Sequence, residues 1–386
     1  MAAYRKFNAT KLFSGTEMFF NDKVLVCHPD GTIENIINLQ DAGDDVEYFP
    51  GLICPGFINA HCHLDLSHLQ NEIPEGTGLV DFVQQVMSKK NDKTAVEKLI
   101  AMEAAANELS GSGTVAVGDI CNGEESIAIK INSPIAWKNF VEISGFVNAT
   151  AAQRLEPGLE TINSFKAKGL NAQLVPHSPY SVSKTLFKRI NEETAGGIVT
   201  IHNQEAVAEN GLYKNKTGGM LRLYENLGID ISGFEATGTT SIKSWLPYFT
   251  RQQSIISVHN SFSSEEDIQF AKNYAVANLR SIHFCICINA NLYIENQLPP
   301  INMLMAQGCD LIIGTDSYAS NHHLNVWQEI KNIQDHFSQI PLVTILKWAT
   351  INGARALDME DKLGSFERGK TPGIVHIYKD EVTRIL

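Results

Sequence analysis

The sequence predicts an α/β protein: a (β/α)8, TIM-like barrel with a small β-sandwich domain built from both chain ends. Three observations predict it. Short apolar runs alternate with helix-like segments eight times between residues 51 and 354. Several of these runs end on histidine or aspartate, and barrel enzymes place their catalytic groups where strands run out. No Gly-rich phosphate loop follows the first run, as a doubly wound nucleotide-binding sheet would require.

Taken in order, residues 1–50 are β-rich. The run 23–27 meets the run 32–37 across Asp30-Gly31, a hairpin turn signal. The first barrel strand starts at about 52 and delivers His61 and His63. Residues 79–90 and 94–109 carry helical periodicity. Strand 2 is expected over 114–117, ending at Gly118-Asp119. Strand 3 is expected near 140–147. Strand 4 covers 172–175, before Pro176-His177-Ser178-Pro179. Strand 5 (197–201) leads into His202-Asn203-Gln204-Glu205, and strand 6 (254–258) into His259-Asn260. Strand 7 is expected over 282–288, and strand 8 (309–313) leads into Gly314-Thr315-Asp316-Ser317. Helices are expected over 264–277 and 322–336. Past residue 355 short strands return, as in 374–378. The predicted domains are therefore 1–50 with 355–386 as a composite β domain, and 51–354 as the barrel.

Composition sets outer limits. The chain is 44% hydrophobic and 19% charged, with a formal charge of −12. That is ordinary globular composition, and its acidity excludes a nucleic-acid backbone or an anionic membrane as partner. The seven cysteines are odd in number and scattered, so no disulfide framework is implied. The segment after Met1 lacks an apolar signal core, and no run reaches the roughly 18 apolar residues of a membrane span. The expectation is a cytoplasmic protein acting on a small molecule.

The chemistry begins with His61 and His63. At i and i+2 on a strand, both rings point to one face, and two adjacent imidazoles make half a metal site. A lone pair of this kind is weak evidence: with 12 histidines, about 0.4 such pairs arise by chance, and two surface histidines on a turn is the plain alternative. Three further apolar runs, ending at His202, His259 and Asp316, supply metal-competent side chains in chain order, which makes coincidence much less credible.

With those residues in view, the chain resembles the amidohydrolase superfamily, in its metal-dependent aminohydrolase branch of guanine, cytosine and adenosine-type deaminases and triazine chlorohydrolases. The resemblance runs from Asp30-Gly31-Thr32-Ile33 and Pro55-Gly56-Phe57-Ile58-Asn59-Ala60-His61-Cys62-His63, through His202-x-x-Glu205, His259 and Gly314-Thr315-Asp316-Ser317. It ends at Ala349-Thr350-Ile351-Asn352-Gly353-Ala354 and Leu363-Gly364-Ser365-Phe366-Glu367-Arg368-Gly369-Lys370. Two motifs depart from the pattern. Cys287-Ile288-Asn289-Ala290-Asn291 keeps only the ends of the usual Cys-Pro-x-Ser-Asn. Thr371-Pro372-Gly373 replaces the usual Ala-Asp after Gly-Lys.

The resemblance implies one divalent metal held by His61, His63, His202 and Asp316. Zn2+ is expected, and Fe2+ also suits N/O ligands. A second metal is not expected, because the segment 174–178 offers no lysine to bridge two ions. Asp316 would also accept the proton of the attacking water. Glu205 would act as general acid/base, and His259 would hydrogen-bond the water or polarise the substrate. His177, Arg154 and Asn291 are the candidate substrate contacts. The stretch His63-Leu64-Asp65-Leu66-Ser67 is similar to chains grouped with aminofutalosine deaminases, which act on an adenine nucleoside. The implied reaction is hydrolytic deamination of an amino-substituted heterocycle. The alternatives are hydrolysis of another non-peptide C–N or C–halogen bond on the same site, as in the chlorohydrolases, or a non-catalytic barrel scaffold. Family members often pair, so a homodimer is expected. Tyr213, Trp245 and Phe249, in an insertion at 211–250, are candidates to cover the substrate or to belong to the core. His322-His323 is read as surface.

Overall fold

The computed structural model describes residues 4–386. Residues 1–3, the start of the segment read as lacking a signal core, lie outside the described residues. Five strands open the chain: β1 (Arg5–Phe13), β2 (Met18–Phe20), β3 (Lys23–Cys27), β4 (Ile33–Asn38) and β5 (Glu47–Pro55). Eight more follow: β6 (Phe57–Cys62), β7 (Thr114–Cys121), β8 (Ala136–Ile143), β9 (Ala172–Pro176), β10 (Ile198–Asn203), β11 (Ser254–His259), β12 (Ser281–Ile286) and β13 (Leu311–Ile313). The last two are β14 (Ile374–Tyr378) and β15 (Glu381–Arg384).

Strands β6 to β13 form two four-stranded parallel sheets, β6-β7-β8-β9 and β10-β11-β12-β13. Parallel neighbours need crossovers, and helices such as Ala95–Gly111, Ala151–Ala167 and Glu265–Asn278 supply them. Covered on both faces, these strands are apolar nearly throughout: every residue of β6, β7, β10 and β11 is buried. The two sheets touch at both edges. His202 N–H donates to the His177 carbonyl (3.0 Å), and Thr315 and Asp316 N–H both donate to the His61 carbonyl (3.0 Å each). Site residues therefore make both junctions.

Both chain ends meet in a seven-stranded sheet, β15-β14-β5-β1-β3-β4 with β2 on β1. The expected sandwich is thus one hydrogen-bonded sheet, with register shifts between Ala9 and Lys11 and between Val26 and Cys27. Its core mixes Phe7, Leu25 and Ile53 with Phe366 and Ile374.

Three boundaries differ from expectation. Strand 3 lies earlier than 140–147, at β8. Its start was hidden by Lys138 and Asn139, yet Asn139 is buried and donates to the Asn171 carbonyl (2.8 Å). Strand 7 stops at Ile286, and the apolar run continues as the helix Ile288–Glu295, whose Ile288, Ala290, Tyr293 and Ile294 are buried. A short apolar run does not distinguish a strand from a buried helix. The helix expected at 322–336 starts at Val326, capped by the Asn325 side chain, which accepts from Trp327 N–H (2.9 Å). His322 and His323 precede it and are exposed. No helix among the described residues is long and apolar enough to cross a membrane.

Candidate metal and catalytic site

The strand ends bring His61, His63, His202 and Asp316 together, as the sequence predicts. His61 lies within β6, and His63 follows it in extended backbone (φ −121°), so both rings keep one face. The Nε2 of His63 lies 3.2 Å from Nε2 of both His61 and His202. Asp316 Oδ1 lies 3.6 Å from His61 Nε2 and 3.4 Å from His63 Nε2. Ligands tetrahedrally disposed about 2.05 Å from zinc stand about 3.3 Å apart, so this donor set fits such an ion. Three facing imidazole nitrogens cannot all satisfy one another by hydrogen bonds. Burial pushes the His61 imidazole down and that of His202 far down, favouring the neutral form that binds metal. His202 Nδ1 donates to the His177 carbonyl (2.7 Å), which fixes the tautomer with Nε2 free to ligate.

Asp316 is oriented from its other side. Ser320 Oγ donates to Oδ2 (2.6 Å), leaving Oδ1 toward the imidazoles. Burial works against ionisation of Asp316, but the His61 hydrogen bond and the His63 and His259 rings hold its carboxyl well below the usual range. Its backbone is left-handed (φ 59°), as is that of His259 (φ 70°) and Gln204 (φ 47°). Such strain outside glycine concentrates at functional sites.

Glu205 follows β10 in a turn ahead of the helix Val207–Asn215. Its Oε1 lies 3.6 Å from His259 Nε2. Burial, then the Asp316 and Glu209 charges, push its carboxyl well above the usual range, which favours its protonated form. Burial pushes His259 down to about 4, keeping it neutral. Both its ring nitrogens are buried without a hydrogen-bond partner. Asn291 is brought in by the helix that replaces the expected loop. It is buried, its Nδ2 donates to Ser261 Oγ, and its Oδ1 is unpartnered.

The remaining predictions divide. His177 reaches the site, its ring 4.9 Å from that of His202 and its Nδ1 shared by Ser178 and Ser181 hydroxyls (2.9 and 2.8 Å). Arg154 does not join the cluster: it is exposed on the helix Ala151–Ala167 and forms no ion pair among the described residues. Tyr213, Trp245 and Phe249 are buried in the core, Tyr213 donating to the Pro179 carbonyl (2.7 Å).

Several contributors escaped the sequence reading. Asn59, on β6, donates to Thr315 Oγ1 (2.7 Å) and accepts from Thr315 N–H (3.1 Å), holding the Asp316 loop. Its place two residues before His61, on the same strand face, was the available signal. Trp245 Nε1–H donates to Asn203 Oδ1 (2.8 Å), and Asn203 donates to Asn260 (3.0 Å), tying the ends of β10 and β11. Asp119 accepts from Leu64 N–H (2.8 Å) and pairs with buried Lys130 (2.5 Å), fixing the backbone just after His63. Glu142 stands 3.8 Å from His202 Nδ1.

Comparison with known proteins agrees with this geometry. The model of the amidohydrolase family matches residues 52–383. The chain is 25% identical over 345 residues to a 5-methylthioadenosine/S-adenosylhomocysteine deaminase of Caldanaerobacter subterraneus (84% of this chain, 72% of the relative). It is 26% identical over 305 residues to an aminodeoxyfutalosine deaminase of Nitratiruptor (78% and 72%). Its fold resembles that of Helicobacter pylori aminofutalosine deaminase in complex with methylthio-coformycin (TM-score 0.79, 21% identity, covering 98% and 93%). It also resembles a Xanthomonas campestris adenosine deaminase with bound zinc (TM-score 0.70, 20% identity, 96% and 84%). At such identity the structural likeness speaks to fold, while the family match spans most of the chain and includes every ligand position. The chain belongs to the amidohydrolase family.

Proposed function

We propose that this protein is a hydrolytic deaminase of an adenine nucleoside, working with one divalent metal, zinc, per chain. One observation carries the reading: three imidazoles and a carboxylate converge within 3.6 Å beside the buried Glu205, whose carboxyl burial pushes well above the usual range. The adenine-nucleoside names of the relatives and the zinc in the Xanthomonas enzyme support the choice of substrate and metal. In this reading β6 to β13 close as one (β/α)8 barrel over 51–354, and 1–50 with 355–386 form the composite β domain, β5 carrying that sheet on to Pro55.

His61, His63, His202 and Asp316 would hold the metal, which would lower the pKa of a bound water toward neutrality. Asp316 Oδ1 accepts the proton as water adds to the amino-bearing carbon. Glu205 gives its proton to the adjacent ring nitrogen, and proton return through these carboxylates lets ammonia leave. His259, neutral and 3.6 Å from Glu205, donates or accepts at the adding oxygen. A second metal on Glu142, His177 and His202 would need His202 Nδ1, which is already committed as a donor to the His177 carbonyl.

The test combines elemental analysis with ammonia release from adenine nucleosides, purine bases, pterins and cytosine. About one zinc per chain with ammonia from an adenine nucleoside is the expected result. Metal without ammonia from any of these removes the deaminase reading. No metal after reconstitution removes the mechanism.

A further inference from the structure

Glu142 has no part in that chemistry, yet it stands against it. It is the last residue but one of β8, opposite Val175 in the β8–β9 register and so beside the segment that carries His177. Its side chain is 8% exposed, and Oε2 is buried without a hydrogen-bond partner. No lysine or arginine pairs with it among the described residues. A buried carboxylate is costly unless donors meet it. The nearest candidate, His202 Nδ1, is 3.8 Å away, beyond hydrogen-bond range, and already donates at 2.7 Å to the His177 carbonyl. Two serine hydroxyls hold His177 Nδ1. The described residues therefore give Glu142 Oε2 no hydrogen-bond donor, and a metal there would lack the His202 nitrogen it needs.

The missing donor is expected from the substrate. We infer that Glu142, with His177 beside it, receives the vicinal hydroxyls of the substrate's ribose, which makes it a specificity-determining residue; the inference rests on the adenine-nucleoside reading above. Glu142 stands 3.8 Å from the Nδ1 of His202, the ring nitrogen opposite the metal-facing Nε2. In this reading the sugar end of a purine nucleoside lies on this side, with the reacting carbon at the metal. A carboxylate carries only acceptors and takes two donors, and a vicinal diol offers two. A free base offers no hydroxyl, and a 2'-deoxyribonucleoside offers one of the pair. A buried acceptor built for a hydroxyl discriminates strongly against an analogue that lacks it, because the acceptor is then left unmet.

The experiment uses the metal-loaded full chain and its E142Q and E142A variants. It measures kcat and KM for adenosine, 5'-deoxyadenosine, their 2'-deoxy counterparts and adenine, with metal content determined in parallel. The expected result is a wild-type preference for ribonucleosides over 2'-deoxyribonucleosides of about 100-fold or more in kcat/KM. In E142Q that ratio falls below about tenfold, chiefly through KM, with metal content at the wild-type level. Equal wild-type kcat/KM for both sugars overturns the inference and leaves the deaminase reading standing. A variant that slows both sugars alike, or that loses metal, also overturns it and makes Glu142 a support for His202. No ammonia from any nucleoside with a loaded enzyme overturns the nucleoside reading, and the inference with it.

Discussion

His202 shows how one side chain can be committed at both nitrogens: Nδ1 is spent on the His177 carbonyl, so Nε2 has only one direction to serve. Asp316 is divided in the same way, Oδ2 to Ser320 and Oδ1 to the imidazoles. Asp316→Asn is expected to abolish turnover, because an amide neither ligates as an anion nor takes the proton. Activity within tenfold of wild type would remove it from that role. Glu205→Gln should retain metal and lower kcat/KM by about 10^3-fold, in line with a lost proton donor; a steady-state assay on metal-verified protein decides. Glu209 offers a pH test away from the metal. Fully buried, it accepts from Gln204 N–H (2.9 Å), and burial pushes its carboxyl up to about 7. The folded state thus holds a proton that the unfolded chain, with an ordinary carboxyl near 4.5, releases earlier. Its contribution is full below about pH 4.5 and is lost as pH rises through about 7. Glu209→Gln should remove roughly 3 kcal/mol of that loss, so denaturation of the two proteins should diverge as pH rises from 5 to 8. Parallel curves would contradict the assignment.

At the scale of elements, the site depends on strand ends held in register by neighbours. Gly314 ends β13 where a Cβ would stand 2.8 Å from His61 Cβ and 2.9 Å from the His61 carbonyl. Those atoms belong to a ligand and its backbone and cannot easily give way. Gly314→Ala should therefore destabilise by about 1–3 kcal/mol and lower metal occupancy, read by melting and elemental analysis. Unchanged occupancy would show that this junction has slack. The Asp119–Lys130 pair acts on the other ligand strand, since Asp119 accepts from Leu64 N–H. Lys130 lies over the Trp137 and Phe165 rings, and although burial disfavours its charge, the Asp119 carboxylate holds its amine well above the usual range. Lys130→Met leaves Asp119 buried and unpaired, at a cost of about 3–5 kcal/mol. Adding Asp119→Asn should recover part of that stability, which a double-mutant cycle measures.

The whole molecule draws its ends together around the strands that carry the site. β5 lies between β1 and β14, and β5 leads through Gly56 straight into β6, the strand of His61. Gly56 has no room for a side chain: a Cβ there would stand 2.8 Å from the Pro372 carbonyl. The four candidate ligands come from strand ends far apart in the chain, so an ion that binds only the folded state would couple to global stability. Removing metal with a chelator is expected to lower the melting temperature by several degrees, about 2–4 °C for each kcal/mol lost, and zinc should restore it. An unchanged melting temperature with verified metal loss would show the site to be preformed without it.

The sequence by itself determined the alternation of strands and helices, the four side chains that cluster at the strand ends and the proton-transfer candidates. Each is a local pattern: an apolar run states where a strand lies, period two states that His61 and His63 share a face, and the last polar residue marks the catalytic end. Only the tertiary structure decided what meets those residues. Asn59 holds Thr315 across 256 positions, and Tyr213, Trp245 and Phe249 prove to be core. Arg154 turns to solvent on the helix Ala151–Ala167, and Asn291 enters from a helix written in the same apolar letters as a strand. Glu142 is one carboxylate among many until β8 and β9 set it, without a donor, beside two histidines. Side-chain direction along one strand follows from covalent geometry, whereas pairing between distant strands follows from how the sheets pack and meet at their edges, which no single segment encodes.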